Sequence, residues 1–304
     1  MSETSEKWSE YWQSEGSQGE VFVNARGEAH PALAAFWTDK FSKVSQQGSF
    51  LDLACGGGSV FAHLPAGSAA TLTGADISDE AIKVLTSRFS HVTGVVTPAE
   101  KTPFDSASFD LIVSQFGVEY AGLDVFREVA RLLKQDGQFI ALAHYHEGLI
   151  DGRNARNLED AQLVEESGFI DRAVGVTKAV FSGEAEAISE AQEKFAKPEQ
   201  LISRAVEQNP QSVHMHLYQG FRQLYERRQA YDCADITGWL DGMKEEVRKT
   251  ITRLAHMREA ALSAEDISSV KKTFSEAGFH AIEVEPFVLP NEEKPLAWAM
   301  HVKA

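Results

Sequence analysis

The sequence predicts an α/β chain: a parallel sheet covered by helices, closed by an antiparallel hairpin, with an α-helical block inserted ahead of the hairpin. Three observations lead there. Between residues 46 and 147 short apolar runs alternate with helical patterns, as in parallel sheets buried on both faces. The first run ends in a bare turn, FLDLACGGGSV, with three consecutive glycines. Alternation stops at 148, and strand-like runs return only at 281–289 and 296–304, joined by PNEEKP, a link that suits a hairpin and is too short for a helical crossover.

Residues 1–45 are polar with scattered rings and are expected to form an N-terminal helical lid. SEKWSEYW reads as a short helix, and PALAAFWTDKF as a second one with Pro31 in its first turn. Tyr11, Trp12, Phe22, His30, Phe36 and Trp37 are candidates to line the lid, a helix core being the alternative for Phe36 and Trp37. FLDLA is a buried strand, after which the chain is expected to turn helical. TLTGADI (71–77) is a second strand, and Ser78 caps the helix that follows, with Asp79 and Glu80 in its first turn. VTGVV (92–96), FDLIVSQF (109–116) and QFIALAHY (138–145) are the next strands. DVFREVARLLK is a helix before the last of them, and Asp136–Gly137 reads as a turn.

Residues 148–262 hold helical stretches such as ARNLEDAQLVEESG, EAEAISEAQEKFAK, PEQLISRAVEQ and HMHLYQGFRQLYERR, with VGVTKAVF (174–181) ambiguous. This block is expected to be a helical cap over an acceptor pocket. SAEDISSVKKTFSEAGF is a helix with Ser263 as N-cap and Gly278 near its end. The expected domains are therefore the lid 1–45, a ligand-binding sheet domain from 46–147 and 263–304, and the helical insertion 148–262.

Composition narrows the partners. The 304 residues carry 45 acids against 29 bases, a formal charge of −16. Such a chain repels nucleic-acid backbones and anionic membrane surfaces, and short basic runs such as ERRQ read as solvated helix faces. A small-molecule substrate is the better expectation, with no nucleic acid and no membrane partner; a homodimer stays open. The polar N-terminus lacks a signal-type apolar run, and Cys55 and Cys233 lie far apart, so a reducing, cytoplasmic setting is expected. HMH at 214–216 reads as part of an amphipathic helix, and no metal site is expected.

Glycines at the carboxyl end of a parallel strand let a ligand approach the backbone. A dinucleotide site wants G-x-G-x-x-G, but Phe61 stands at the third position after Gly56 and Gly58. No G-K-[ST] follows, so this is not a P-loop. The stretch FLDLACGGGSV resembles the first motif of class I S-adenosylmethionine-dependent methyltransferases. GADIS, TPAEKTPFDSASFDLIVSQF, LLKQDGQFIALA and FSEAGFHAIEVE continue the resemblance in order, over about residues 49–147 and 263–304. It implies a Rossmann-like fold, S-adenosyl-L-methionine as cofactor and methyl transfer as the activity.

By that resemblance the cofactor-binding residues are Tyr11, Asp52, Ala54, Gly56, Gly58, Asp76, Ile77, Ala99, Glu100 and Gln115. Asp52 orders the loop and sits near the sulfonium or amino end; Ala54, Gly56 and Gly58 line the methionyl path; Asp76 accepts the ribose hydroxyls; Tyr11 belongs to the lid. Two departures stand out. Ala54 replaces the usual first glycine, and Pro98 replaces an acid that accepts from the adenine amino group, leaving Glu100 as a substitute acceptor.

Alignment supplies much of a methyl transfer, and an oxygen acceptor also wants a base. Glu119, His144 and His146, just past the fourth and fifth strands, are the catalytic candidates. SQFG stands where nucleobase amino-methylating enzymes carry N-P-P-Y, which disfavours that reaction. The expected function is methyl transfer to a small-molecule oxygen or nitrogen. Two rivals remain open: a non-catalytic binder of the same cofactor or its product, and a nicotinamide-dependent oxidoreductase.

Overall fold

The computed structural model describes residues 8–9, 12–13, 30–209 and 213–303. The chain divides into two compact units, Met1–Ile150 with Ala260–Ala304, and Asp151–Glu259.

The first unit is built on seven strands: β1 (Ser49–Leu53), β2 (Thr71–Asp76), β3 (Thr93–Val96), β4 (Phe109–Gln115), β5 (Leu133–His144), β6 (Ala281–Phe287) and β7 (Ala297–Lys303). Their order is β3-β2-β1-β4-β5-β7-β6. β1 to β5 are parallel, and β7 is antiparallel to both β5 and β6. The order reverses between β1 and β4, so the crevice for a ligand opens at their carboxyl ends.

Strand alternation divides the side chains between two cores. Leu51, Leu53, Ile112, Phe139 and Ala141 face one core. Phe50, Leu111, Val113, Ile140 and Leu142 face the other. Helix α1 (Pro31–Ser42) buries Leu33, Trp37 and Phe41 in the second core, and α2 (Asp79–Arg88) adds Ile82 and Leu85. Helices α3 (Val125–Leu132) and α9 (Ala264–Glu276) cover the first. The Pro31 helix thus packs into the core, as in the helix-core reading of Trp37, and His30 caps it by accepting from the Ala32 amide at 3.3 Å. Tyr11 and Phe22 lie outside the described residues, as does most of SEKWSEYW.

Three elements differ from expectation. No full helix follows the glycine turn: Phe61–His63 form a single 3-10 turn, and Pro65 and Gly67 stop it. β5 begins at Leu133, not Gln138, and Asp136–Gly137 fall in a register irregularity where Leu133 faces Phe109 and Gln138 faces Leu111. The expected break at Pro198 is absent; Ala185–Gln208 is one helix, α6, with Pro198 inside it.

The second unit is helical. It joins α4 (Leu149–Ser167), α5 (Phe169–Ser182), α6, α7 (Val213–Glu226) and α8 (Cys233–Ala260). VGVTKAVF falls within α5. Phe169, Phe195, Ile202, Leu217, Phe221, Leu240 and Val247 share one core. Within the sheet unit, the end of β5 is clasped by the segment before α9: Leu262 N–H donates to the His144 carbonyl (2.8 Å), and His146 N–H to the Leu262 carbonyl (3.0 Å). Trp298 of β7 adds an indole N–H to the same carbonyl (2.8 Å) and stacks on Tyr145.

His301 on β7 is half-buried beside Gln138, and burial, reinforced by Lys303 and Lys40, depresses its pKa to about 4. Between that value and the usual one the unfolded chain binds the extra proton, so stability falls as pH drops from ~6.5 towards ~4. Replacing His301 with Gln is expected to flatten this part of a thermal-midpoint-against-pH curve; an unchanged slope would remove His301 as its source.

Candidate functional site

The glycine turn is held from every side. Ala54, Gly56 and Gly58 have φ of 55°, 50° and 80°. These left-handed angles suit glycine and strain Ala54. Cys55 N–H donates to the Ala75 carbonyl (3.0 Å), and Gly58 N–H to the Cys55 carbonyl (2.9 Å). Arg88, from the last turn of α2, donates to the Gly57 carbonyl at 2.6 Å.

Asp76 ties this turn to β2. Its Oδ2 accepts from Gly56 N–H and its Oδ1 from Ser78 N–H, both at 2.9 Å. The Ile77 amide also acts on the carboxylate, and with four lone-pair sites on its two oxygens Asp76 retains acceptor capacity for a further donor. Burial pushes the Asp76 carboxyl upward, against the pull of these amides. Ile77 beside it is half-buried. The 97–100 turn abuts this end, with Thr97 N–H on the Asp76 carbonyl (2.8 Å). Within it Ala99 is buried, whereas Glu100 is exposed. Thr102 N–H, donating to Glu128 at 2.8 Å, anchors the segment that follows.

Asp52, on β1 just before the turn, is different. It is 1% exposed, and neither carboxylate oxygen has a hydrogen-bond partner. Burial, then the charge of Asp76, drives its pKa well above the usual carboxylate range. The Cys55 thiol is pushed up for the same reasons. A buried acid without a donor is costly unless a cation or donor meets it.

At the end of β4 the backbone turns sharply. Phe116 takes φ of 52°, an outlier for a bulky side chain. Gly117 follows because a Cβ there would lie 2.7 Å from the Ala54 carbonyl oxygen. The 3-10 turn Val118–Ala121 then carries Glu119 under the end of β5. Glu119 Oε1 accepts from the His144 backbone N–H (2.8 Å) and from its ring Nδ1 (2.6 Å). Both residues are buried, and the ring is flanked by Phe116 (centroids 4.8 Å apart) and Tyr120 (5.8 Å).

The structure therefore brings Glu119 and His144 together next to the glycine turn. His146 is exposed beyond them. Gln115 is engaged elsewhere: its Oε1 accepts the Trp37 indole N–H (2.6 Å) and its amide reaches Ser59 (3.4 Å). Sequence reasoning missed Tyr120; Phe116 is a candidate past the fourth strand, but its left-handed backbone was not foreseen, the one signal for it being the Gly that follows an aromatic at a strand end.

Comparison with known proteins agrees with the sheet unit. Residues 51–141 match the family model described as "Methyltransferase domain". Over 81 residues the chain is 38% identical to "Uncharacterized methyltransferase YcgJ" of Bacillus subtilis (strain 168), covering 24% of this chain and 31% of that protein. The chain thus spans under a third of that curated relative. Among solved structures, geranyl diphosphate C-methyltransferase from Streptomyces coelicolor A3(2) is 21% identical, covering 47% of this chain and 65% of that one, with a TM-score of 0.38. A protein of Methanococcus maripaludis is 13% identical over 98% of this chain and 91% of its own, with a TM-score of 0.43.

Two substitutions test the energetics of the turn. Ala54→Gly is expected to raise stability by about 1 kcal/mol in chemical denaturation by relieving the left-handed strain; a loss would mean the Ala54 methyl contributes packing that outweighs it. For Asp52 the folded state holds its proton more tightly than the unfolded chain, so its ionisation lowers stability as pH rises above the usual carboxylate range. Asp52→Asn is expected to make the ligand-free protein relatively more stable at pH 8 than at pH 5, compared with the parent.

Proposed function

Starting from a chain that carries a class I S-adenosylmethionine-dependent methyltransferase domain, with S-adenosylmethionine as its cofactor, we propose that it transfers a methyl group to an oxygen or nitrogen of a small molecule. The observation that carries this reading is Asp52, a buried carboxylate with no partner beside a bare glycine turn. That arrangement fits a ligand bringing positive charge. S-adenosylmethionine brings an ammonium and a sulfonium, and the sulfonium supplies an activated methyl group. Asp52 faces the charged end, the Gly56–Gly58 backbone lets the methionyl chain lie close, and Asp76 keeps acceptor capacity for the ribose. Ile77, Ala99 and Glu100 remain proposed neighbours of the nucleoside; Gln115 acts indirectly, through Trp37 and Ser59.

The nicotinamide rival loses support from the same turn. A dinucleotide site sets its pyrophosphate on the N-terminus of the helix after the glycines, and here only a 3-10 turn follows. The Glu119–His144 pair favours transfer over mere binding. With Nδ1 donated to Glu119, the ring offers Nε2 to take a proton, which suits a hydroxyl acceptor. Glu119 acts as the positioning residue, since one oxygen fixes both the ring and the backbone of His144. A net charge of −16 supports a neutral or cationic small acceptor over nucleic acid. The free thiols Cys55 and Cys233 fit a reducing, cytoplasmic location. No helix among the described residues is long and apolar enough to cross a membrane.

Calorimetric titration with S-adenosylmethionine, S-adenosylhomocysteine and NADH tests the cofactor site. Binding of the first two and not the third is expected; NADH binding alone would sink the reading. Asp52→Asn should weaken S-adenosylmethionine roughly thirtyfold, or about 2 kcal/mol, as for a buried charge that loses its counterpart. In a labelled-methyl assay His144→Ala should lower turnover by about 10²–10⁴ while cofactor affinity holds. Full turnover in that variant would leave the chain without its proposed base.

A further inference from the structure

The bare backbone at Gly56 is already covered. A Cβ built on Gly56 would lie 2.2 Å from Trp12 Cζ2 and 2.5 Å from Cη2. The indole therefore rests on the glycine itself, and no other residue type fits beneath it. Trp12 is 5% exposed, and Gly56, Gly57 and Gly58 are all buried. Ser9 and Trp8 make two further contacts. Ser9 Oγ lies 3.1 Å from Ser78 Oγ, two residues after Asp76. Trp8 packs edge-on against Tyr120 at 4.9 Å between centroids, and Tyr120 in turn meets the His144 ring. Trp12, Ser9 and Trp8 thus touch, respectively, the glycine turn, the proposed ribose end and the aromatic wall of the Glu119–His144 pair.

Resting on the cofactor reading above, we infer that Trp12 and S-adenosylmethionine compete for the surface of Gly56, so that Trp12, together with Trp8 and Ser9, is a strap that withdraws before the cofactor enters. A glycine here serves two occupants in turn. The indole seals the turn and the unpartnered Asp52 side of β1 from water in the ligand-free chain, and the cofactor replaces it on binding. Because Trp8 leans on Tyr120, withdrawal also frees the ring beside His144. Cofactor entry and opening of the acceptor side are then one movement.

The prediction is kinetic and spectroscopic. In protein labelled with 5-fluorotryptophan, with the five tryptophan signals assigned by single Trp→Phe variants, the Trp12 resonance should report a buried indole. Saturating S-adenosylhomocysteine should move it to a solvent-exposed position while Trp37 and Trp298 stay still. Trp12→Ala should bind S-adenosylhomocysteine faster and more tightly, by about tenfold if the open form is near 10% populated. Binding by Trp12→Ala when the parent binds nothing would support the strap in its tightest form. A Trp12 signal that stays buried at saturation, or a Trp12→Ala variant that binds more weakly with an unchanged association rate, would overturn the strap and make Trp12 a fixed wall of the site. Failure of both proteins to bind either S-adenosyl compound would overturn the cofactor reading and the strap with it.

Discussion

The site depends on one carboxylate. Asp76 ends β2, yet its two oxygens hold the amide of Gly56 on the neighbouring turn and the amide of Ser78 at the start of α2. A charged acceptor gives each of these bonds more strength than a neutral one would. Three separate pieces of chain, the β1 turn, the end of β2 and the cap of α2, are fixed by a single side chain. The left-handed angles of Ala54, Gly56 and Gly58 are sustained by that bond together with the Arg88 contact to Gly57.

Around this anchor the electrostatics are one-sided. Asp52, Asp76 and Cys55 share a buried region, and the first two raise the cost of ionising the third. The fold tolerates the imbalance because dense packing surrounds it: Leu51 and Leu53 flank Asp52 on β1, both fully buried. On the proposed reading, in which a cationic ligand meets Asp52, this buried acid stores selectivity in the fold, since a neutral ligand of the same shape leaves it unmet.

Much of this architecture was legible in the chain. The apolar runs ending at Leu53, Asp76 and Gln115 define their strands because each is buried on both faces, and the hairpin follows from the shortness of PNEEKP. Ser263 was readable as a cap, and its capping box with Asp266 is present. What could not be read depends on partners distant in sequence. Pro198 lies inside a helix whose apolar side belongs to the core of the helical unit, and packing overrode the local preference. β5 runs through Asp136–Gly137 because β4 holds it on both sides of the irregularity, at Leu133 and again from Gln138. Glu119 and His144 were each visible as polar residues past a strand end, but their pairing requires the left-handed turn at Phe116, whose only local signal is the Gly117 that follows it. Gln115 points to Trp37 because α1 packs on that face, a fact absent from its own neighbourhood.

The strand order carries a last consequence, for synthesis. β5, which bears His144, lies between β4 and β7, and β7 is made only after the whole helical unit has been translated. Until then β5 has an open edge, and the clasp between His144 and Leu262 has no indole from Trp298 to secure it. On the ribosome the helical unit, with its own core and local contacts, is free to fold while the sheet waits unfinished. An order of emergence is thereby written into the topology: the half-built sheet exposes an apolar strand edge for as long as the insertion takes to appear, which is the interval when a chaperone would be most useful to this chain.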